Sequence, residues 1–183
     1  EVLMFIIPLL CMRLMSEEKR AKTDQLLMTS PVSITGLVLG KFLAALAIYG
    51  IALAVTVVYA VILTFFATPE WAVIVGNIFG SLIMRAAMIA ICLLISACTE
   101  SQIIAAIGGL AAMLFLWMIE NVASLLPTSL SWLGNIIPQL SLSRRYDNFC
   151  NGILNISDVL FYISAIVVFL FFNVRIIEKR RWS

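Results

Sequence analysis

Histidine is absent from the 183 residues of this sequence. Because histidine is the commonest general base and the commonest metal ligand, its absence excludes Ser-His-Asp and Cys-His catalytic sites and most zinc sites. Charged residues are also scarce, at 12% of the chain against ~25% in an average soluble domain. With 63% hydrophobic residues and a mean hydropathy of +1.10, the composition excludes a soluble globular domain and predicts a membrane-embedded protein.

Motifs that carry chemistry are missing as well. The four cysteines, Cys11, Cys92, Cys98 and Cys150, do not have metal-ligand spacing, so we interpret them as small hydrophobic residues. The sequence has no glycine-rich phosphate-binding loop and no carboxylate pair at catalytic spacing. A net charge of +2 gives no reason to expect a nucleic-acid partner. We therefore predict no catalytic, cofactor or metal site in this chain.

The charged residues delimit long apolar runs, and a run of ~20 apolar residues is enough to cross a bilayer. Complete spans are predicted at residues 41–67, 71–98, 103–120 and 157–177. Residues 1–15 contain an apolar run too short to cross alone and are predicted to be a partial span. The predicted fold is an all-α, polytopic membrane helix bundle, a single transmembrane domain over residues 1–183 with four complete spans and one partial span.

Lysine and arginine in the connections set the predicted orientation. They are concentrated in residues 13–41 and in the tail, 178–183, so both regions are expected to be cytoplasmic. This parity places the uncharged, proline-containing part of 121–156 outside, as short re-entrant helices, because prolines at this density do not suit a lipid-facing helix. Arg144 and Arg145, in the same segment, run against the charge rule.

A polar island at residues 16–40 follows the partial span. Ser16 can cap a helix whose first turn holds Glu17 and Glu18, Pro31 ends that helix, and Ser33 can cap the next one. Composition alone favours an ordinary basic loop lying on the lipid headgroups. The alternative is a helix that binds a protein partner. A loop lying on anionic lipid would have no use for the acidic residues, whereas a helix that binds a partner would.

Small residues and one intramembrane charge complete the set of candidate sites. Helix-packing contacts are predicted at the glycines Gly36, Gly40, Gly76, Gly80, Gly108 and Gly109. Arg85 interrupts the second complete span, where a lipid-facing charge is costly, so it is expected to face the protein interior and to have a partner. Glu1 is the predicted partner, since both residues lie about 18–20 Å from the inner surface at 1.5 Å per residue.

The polar island also carries a family resemblance. The pattern "MRLMSEEKRAKTDQLLMTSPVS" followed by "LGK", together with "CTESQIIAA", "NFCNGILNISDVLFY" and the closing "EKRRW", resembles the permease subunits of type-two (ABC-2) ABC transporters. The match is closest to their bacterial gliding-motility and copper-site-maturation branch. The resemblance implies that residues 16–40 are a cytoplasmic coupling segment whose helix, from Glu17 to Ser30, binds an ATPase. The implied contact residues are Glu17, Glu18, Lys19, Arg20, Thr23, Leu26, Leu27, Ser30 and Pro31.

Several further expectations follow from this resemblance. The full-length chain would have six spans, lie in a bacterial inner (plasma) membrane, and pair with a second copy or a related permease. Two cytoplasmic ABC ATPase subunits would bind ATP and Mg, while this chain would bind no cofactor and would not be an enzyme. A passive channel, a structural membrane subunit without an ATPase partner and an intramembrane enzyme are the competing readings of the apolar spans.

Overall fold

The computed structural model describes residues 7–8, 10–11, 33–66, 70–99, 101–123, 142–153 and 155–181. All regular secondary structure in these ranges is helical, which confirms the all-α prediction. The five helices are α1 (Ile34–Leu63), α2 (Trp71–Cys98), α3 (Gln102–Ala123), α4 (Leu142–Cys150) and α5 (Ile156–Arg181).

Three of these helices are long and apolar enough to cross a membrane. The candidate spans are Ile34–Ile62 in α1, Trp71–Cys98 in α2 and Ile156–Lys179 in α5. The predicted span at 103–120 lies on α3, in which Gln102–Leu116 is a shorter apolar stretch. The chain is therefore a membrane protein by the length and composition of its helices.

The start of α1 shows how local sequence fixes a helix end. The Ser33 side chain caps the helix by accepting a hydrogen bond from the Gly36 N–H at 3.3 Å, as its position after Pro31 predicts. The helix thus begins before Lys41, where the predicted span starts. The two positions differ because a charged residue marks where the chain enters the hydrocarbon, whereas a cap marks where the helix begins.

α2 is the central helix and packs against the other four. In its most apolar 18-residue window 61% of the residues are buried, compared with 11% in that of α1 and 22% in that of α5. α1 and α3 adjoin it through short connections and run antiparallel to it. α5 runs parallel to it, because two contacts fix its direction. Gly152, just before α5, lies beside Val73 at the start of α2, and the Asn173 amide of α5 donates to the Ala90 carbonyl, farther along α2, at 3.4 Å. The core of the bundle is therefore built around α2.

The short helix α4 lies across the beginnings of α2 and α5. Two residues after its last residue, Cys150, stands Gly152, whose φ of +73° is in the left-handed region that favours glycine. The N–H of Gly152 donates to the Phe149 carbonyl at 3.0 Å and that of Ile153 to the Asn148 carbonyl at 2.9 Å, a Schellman arrangement. This turn leads the chain directly into α5.

Candidate functional site

A cavity of about 420 Å³ lies between α1 and α2, with α4 at one end. This volume is within the range of pockets that hold drug-sized molecules, about 300–1,000 Å³. Its lining comes from α1 (Tyr49, Ala52, Leu53, Thr56, Tyr59 and Ala60), α2 (Val73, Ile74, Asn77, Ile78, Ser81 and Arg85) and α4 (Tyr146). The cavity brings several polar side chains, among them Asn77, Ser81 and Arg85, together on two otherwise apolar helices.

Helical periodicity places the polar residues of α2 in one row. Asn77, Ser81 and Arg85 are four residues apart, so their side chains lie above one another on the face that lines the cavity. The Ser81 hydroxyl donates to the Ile78 carbonyl at 2.9 Å, which leaves its lone pairs available as acceptors. The row ends at Arg85, the only charged side chain in the cavity lining that the structure describes.

Arg85 lies near mid-depth of α2, about 21 Å along the helix from Trp71 at 1.5 Å per residue. An arginine facing lipid at this depth would cost at least ~2.5 kcal/mol, and Arg85 instead lines the cavity and is partly buried. Its Nε is buried with no hydrogen-bond acceptor among the described residues. Its Nη1 lies 3.4 Å from the Met88 sulfur, which is a weak acceptor. Toward the described residues, the guanidinium therefore has unused donor capacity.

Tyr146 joins α4 to the polar row. Its hydroxyl donates to Asn77 Oδ1, and the Cys150 thiol approaches the same oxygen at 3.8 Å. Burial is the largest cause that raises the pKa of Tyr146, to about 12, and the hydrogen bond with Cys150 acts in the same direction. The positive charge of Arg85 lowers this pKa and only partly offsets the increase. The phenol is therefore neutral and remains a donor at physiological pH.

An ion pair fixes α4 to α5. Arg145 Nη1 contacts Asp158 Oδ1 at 2.7 Å, and the Asn148 amide donates to Asp158 Oδ2 at 2.9 Å. The Arg145 guanidinium also lies 4.1 Å from the centre of the Phe161 ring. Asp158 stands in the first turn of α5, where a negative charge is favourable, and its side chain is 6% exposed. Arg145, which runs against the charge rule in the sequence, is thus neutralised locally.

The predicted glycines have different surroundings. A Cβ built on Gly80 would lie 2.5 Å from the Phe149 Cβ, and one on Gly76 would lie 3.0 Å from the Phe149 carbonyl oxygen. The space beside these two glycines is therefore occupied by α4 and not by another long helix. A Cβ on Gly109 would lie 3.2 Å from Pro8 Cβ, and one on Gly108 would lie 3.0 Å from a methyl of Ile95.

The two predicted glycines of α1, Gly36 and Gly40, make no comparable contact with a described helix. A Cβ on Gly36 would meet only the side chain of its own cap, Ser33, at 2.9 Å, and one on Gly40 would have no described neighbour within 4 Å. Sequence spacing alone does not distinguish the tight pairs from these open ones. The structure thus distinguishes Gly76 and Gly80, which α4 approaches closely, from Gly36 and Gly40, which no described helix approaches.

Other predicted site residues lie outside the described residues. They are Glu1 and the coupling residues Glu17, Glu18, Lys19, Arg20, Thr23, Leu26, Leu27, Ser30 and Pro31. The pairing of Glu1 with Arg85 and the coupling helix therefore stay predictions. Within the described ranges, no cluster of three or more Cys, Asp or Glu side chains could hold a metal ion.

Sequence reasoning missed the cavity and the anchoring of α4. Tyr146, Asn77 and Asp158 are each unremarkable in the sequence, and only packing brings them together. The usable local signals were the row at Asn77, Ser81 and Arg85 and the Asn151-Gly152 turn.

Comparison with known proteins gives the family. The model of the ABC-2 family transporter proteins matches residues 2–178, nearly the whole chain. A search of curated proteins and a search of solved structures each gave no significant match. The match agrees with the resemblance carried by residues 12–41 and with the long apolar helices. The chain therefore belongs to the ABC-2 family of transporter proteins, as a membrane permease that acts in transport and is not an enzyme.

Proposed function

We propose that this chain is the membrane-spanning permease half of an ATP-driven ABC exporter. It forms part of the translocation path and couples to cytoplasmic ABC ATPase subunits, which bind ATP and Mg. The observation that carries the proposal is the family match over residues 2–178. The cavity between α1 and α2 supports it, because a polar site that reaches mid-depth of a candidate span suits a transport path.

The proposed architecture has four complete spans and one partial span in residues 1–183, with six in the full-length permease. Residues 121–156 would be an outer re-entrant segment. The position of α4 supports this arrangement, since it packs at the opposite end of the bundle from Lys41 and Lys179. Labelling of S131C as the single cysteine, with the four native cysteines replaced, by a membrane-impermeant reagent tests it. We expect labelling from outside, and labelling only from the cytoplasm would overturn the topology.

The protein would work in the inner (plasma) membrane of a bacterium, beside a second copy of itself or a related permease. Its pattern at residues 12–41 supports a place in the gliding-motility and copper-site-maturation branch. No nucleic-acid partner is proposed. Purification from the native membrane, with identification of the subunits that accompany the chain, tests these partners directly.

Coupling would occur through residues 16–40. The mixed charges of Glu17, Glu18, Lys19 and Arg20 suit a protein groove better than an anionic lipid surface, which needs only cations. The double variant E17K/E18K should insert normally but lose ATPase binding or substrate-stimulated ATP hydrolysis. Its matched control is E178K, a charge reversal near the end of α5, which should leave both intact. Normal coupling in E17K/E18K would contradict the proposed role of this segment.

A passive channel or a structural subunit without an ATPase partner is the competing function. An assembled complex that contains an ABC ATPase, and whose ATP hydrolysis drives vectorial transport, is expected of an exporter. Substrate flux that continues unchanged in an ATPase-inactive complex would favour the channel instead.

A further inference from the structure

We propose that Arg85 is a substrate-binding residue, and that the cavity between α1 and α2 receives a small organic anion. The carboxylate or phosphate of that molecule would bind the guanidinium, and its apolar body would lie along the two helices. The proposal rests on the proposed function, because the bound molecule is taken to be the transported one. It does not depend on which ATPase drives the transport.

The first support is the unused hydrogen-bonding capacity of Arg85. A guanidinium has five N–H donors, and its Nε here is buried without an acceptor among the described residues. The contact between Nη1 and the Met88 sulfur, at 3.4 Å, is a weak substitute for an oxygen acceptor. Carboxylate and phosphate oxygens match the planar fork of arginine and can accept two parallel hydrogen bonds. An anion is therefore the ligand class that satisfies this side chain best.

The second support is the charge of the cavity. Its described lining contains one cation, Arg85, and no Asp or Glu side chain. The other polar groups of the lining, such as Thr56, Ser81 and Asn77, are neutral. A cation entering the cavity would meet Arg85 without a compensating carboxylate. The cavity thus favours anions over cations and neutral molecules of the same shape.

Shape and depth indicate a small molecule drawn into the protein. From Val73 to Arg85 the lining of α2 extends about 18 Å, at 1.5 Å per residue. Aliphatic side chains such as Leu53 and Ile78 form much of the wall, which suits an apolar body. A bilayer lipid keeps its headgroup at the surface, about 15 Å from mid-depth of a ~30 Å core. Since Arg85 lies near mid-depth, a headgroup in its ordinary position does not reach it.

Three probes with one carbon skeleton test the charge preference. Phenylbutyrate, phenylbutyramide and phenylbutylamine carry a carboxylate, a neutral amide and an ammonium group, respectively. Their binding to the intact protein would be measured by titration calorimetry in nanodiscs of zwitterionic phosphatidylcholine. We expect phenylbutyrate to bind at least about tenfold more tightly than the other two, in line with a charge-assisted hydrogen bond. Equal binding of the three probes would overturn the proposal.

Substitution of Arg85 tests the residue itself. R85Q should weaken phenylbutyrate binding about tenfold or more, whereas R85K, which keeps the charge but not the planar fork, should weaken it less. R175Q is the matched control, because it removes an arginine from an exposed position on α5 and should leave binding unchanged. Unchanged phenylbutyrate affinity in R85Q would contradict the assignment.

A second measurement leaves Arg85 in place and so does not depend on the folding of its variants. Thr56 lines the cavity, so alkylation of T56C, followed by peptide mass spectrometry, should be slowed by phenylbutyrate and not by phenylbutylamine. Absence of protection would place any binding elsewhere and overturn the site. Competition by added phosphatidylglycerol, lost in R85Q, would assign the guanidinium to a lipid headgroup and overturn its role in substrate binding.

The two proposals fail separately. In the assembled complex, phenylbutyrate should stimulate ATP hydrolysis by the wild type and not by R85Q. An ATPase that is coupled to the permease but insensitive to phenylbutyrate would overturn the substrate site and leave the exporter intact. Binding of phenylbutyrate to a chain that assembles with no ATPase would overturn the exporter.

Discussion

The contact between α2 and α4 gives the sharpest stability prediction. A methyl group added at Gly80 would lie 2.5 Å from the Phe149 Cβ and 2.6 Å from its Cγ, atoms close to the backbone of α4 that cannot move aside independently. Overpacking of this kind costs about 1–3 kcal/mol. Alanine is favoured over glycine within a helix by about 0.5–1 kcal/mol. The net effect expected of G80A is a loss of up to about 2.5 kcal/mol of folding stability.

Two further glycine variants calibrate this expectation. G76A would place its methyl 3.0 Å from the Phe149 carbonyl oxygen and should also destabilise, but less than G80A. G40A has no described neighbour within 4 Å of its new methyl, so it should be neutral or stabilising by up to about 1 kcal/mol. The three substitutions are chemically identical, so differences between them report the surroundings of each glycine.

Thermal unfolding of the purified variants in one detergent, followed by helical circular dichroism, measures these effects. A loss of 1 kcal/mol lowers the unfolding midpoint of a chain of this size by about 2–4 °C. The expected order of midpoints is G40A highest, then G76A, then G80A. A G80A protein as stable as G40A would refute the close approach of α4 to α2.

Three other predictions concern the Arg145–Asp158 ion pair, the phenol of Tyr146 and the predicted pairing of Glu1 with Arg85. D158N removes the mostly buried partner of a cation and should cost about 3–5 kcal/mol in thermal unfolding, whereas R175Q, at an exposed pair, should cost less than about 1 kcal/mol. Because the pKa of Tyr146 is raised to about 12 from an ordinary 10, its contribution to stability is complete below pH 10 and declines as pH rises toward 12. The stability difference between wild type and Y146F, measured against pH, should therefore shrink in that window, and a difference that grows would contradict the raised pKa. If Glu1 pairs with Arg85, E1Q should bind phenylbutyrate more tightly than wild type, and an unchanged affinity would refute the pairing.

Charge spacing predicted the membrane helices because the signal is local. A run of ~20 apolar residues is unfavourable in water whatever the rest of the chain does. The candidate spans in α1, α2 and α5 could therefore be recognised from composition. The cap at Ser33 is equally local, since it depends on a hydroxyl three residues before a free N–H.

The partners of individual side chains were not predictable in this way. The glycine pair at Gly76 and Gly80 indicates that something approaches closely, but not that it is Phe149, which lies far along the chain. The charge rule counts Arg145 as a full cation, although Asp158, 13 positions later, neutralises it across the turn between α4 and α5. Counting charges in the sequence does not reveal which of them tertiary packing pairs.

The position of Arg85 follows from the burial of its helix. In α1 or α5, where most residues are not buried, an arginine at mid-depth would face lipid at most positions. It would then carry the full cost of desolvation. α2 packs against the other four described helices. On this helix, the face that lines the cavity is the one on which an arginine has polar surroundings. A helix this buried gains stability from apolar residues. A guanidinium whose Nε has no acceptor among the described residues is a poor structural substitute for an apolar side chain. This cost supports the proposed role of Arg85 in binding an anion.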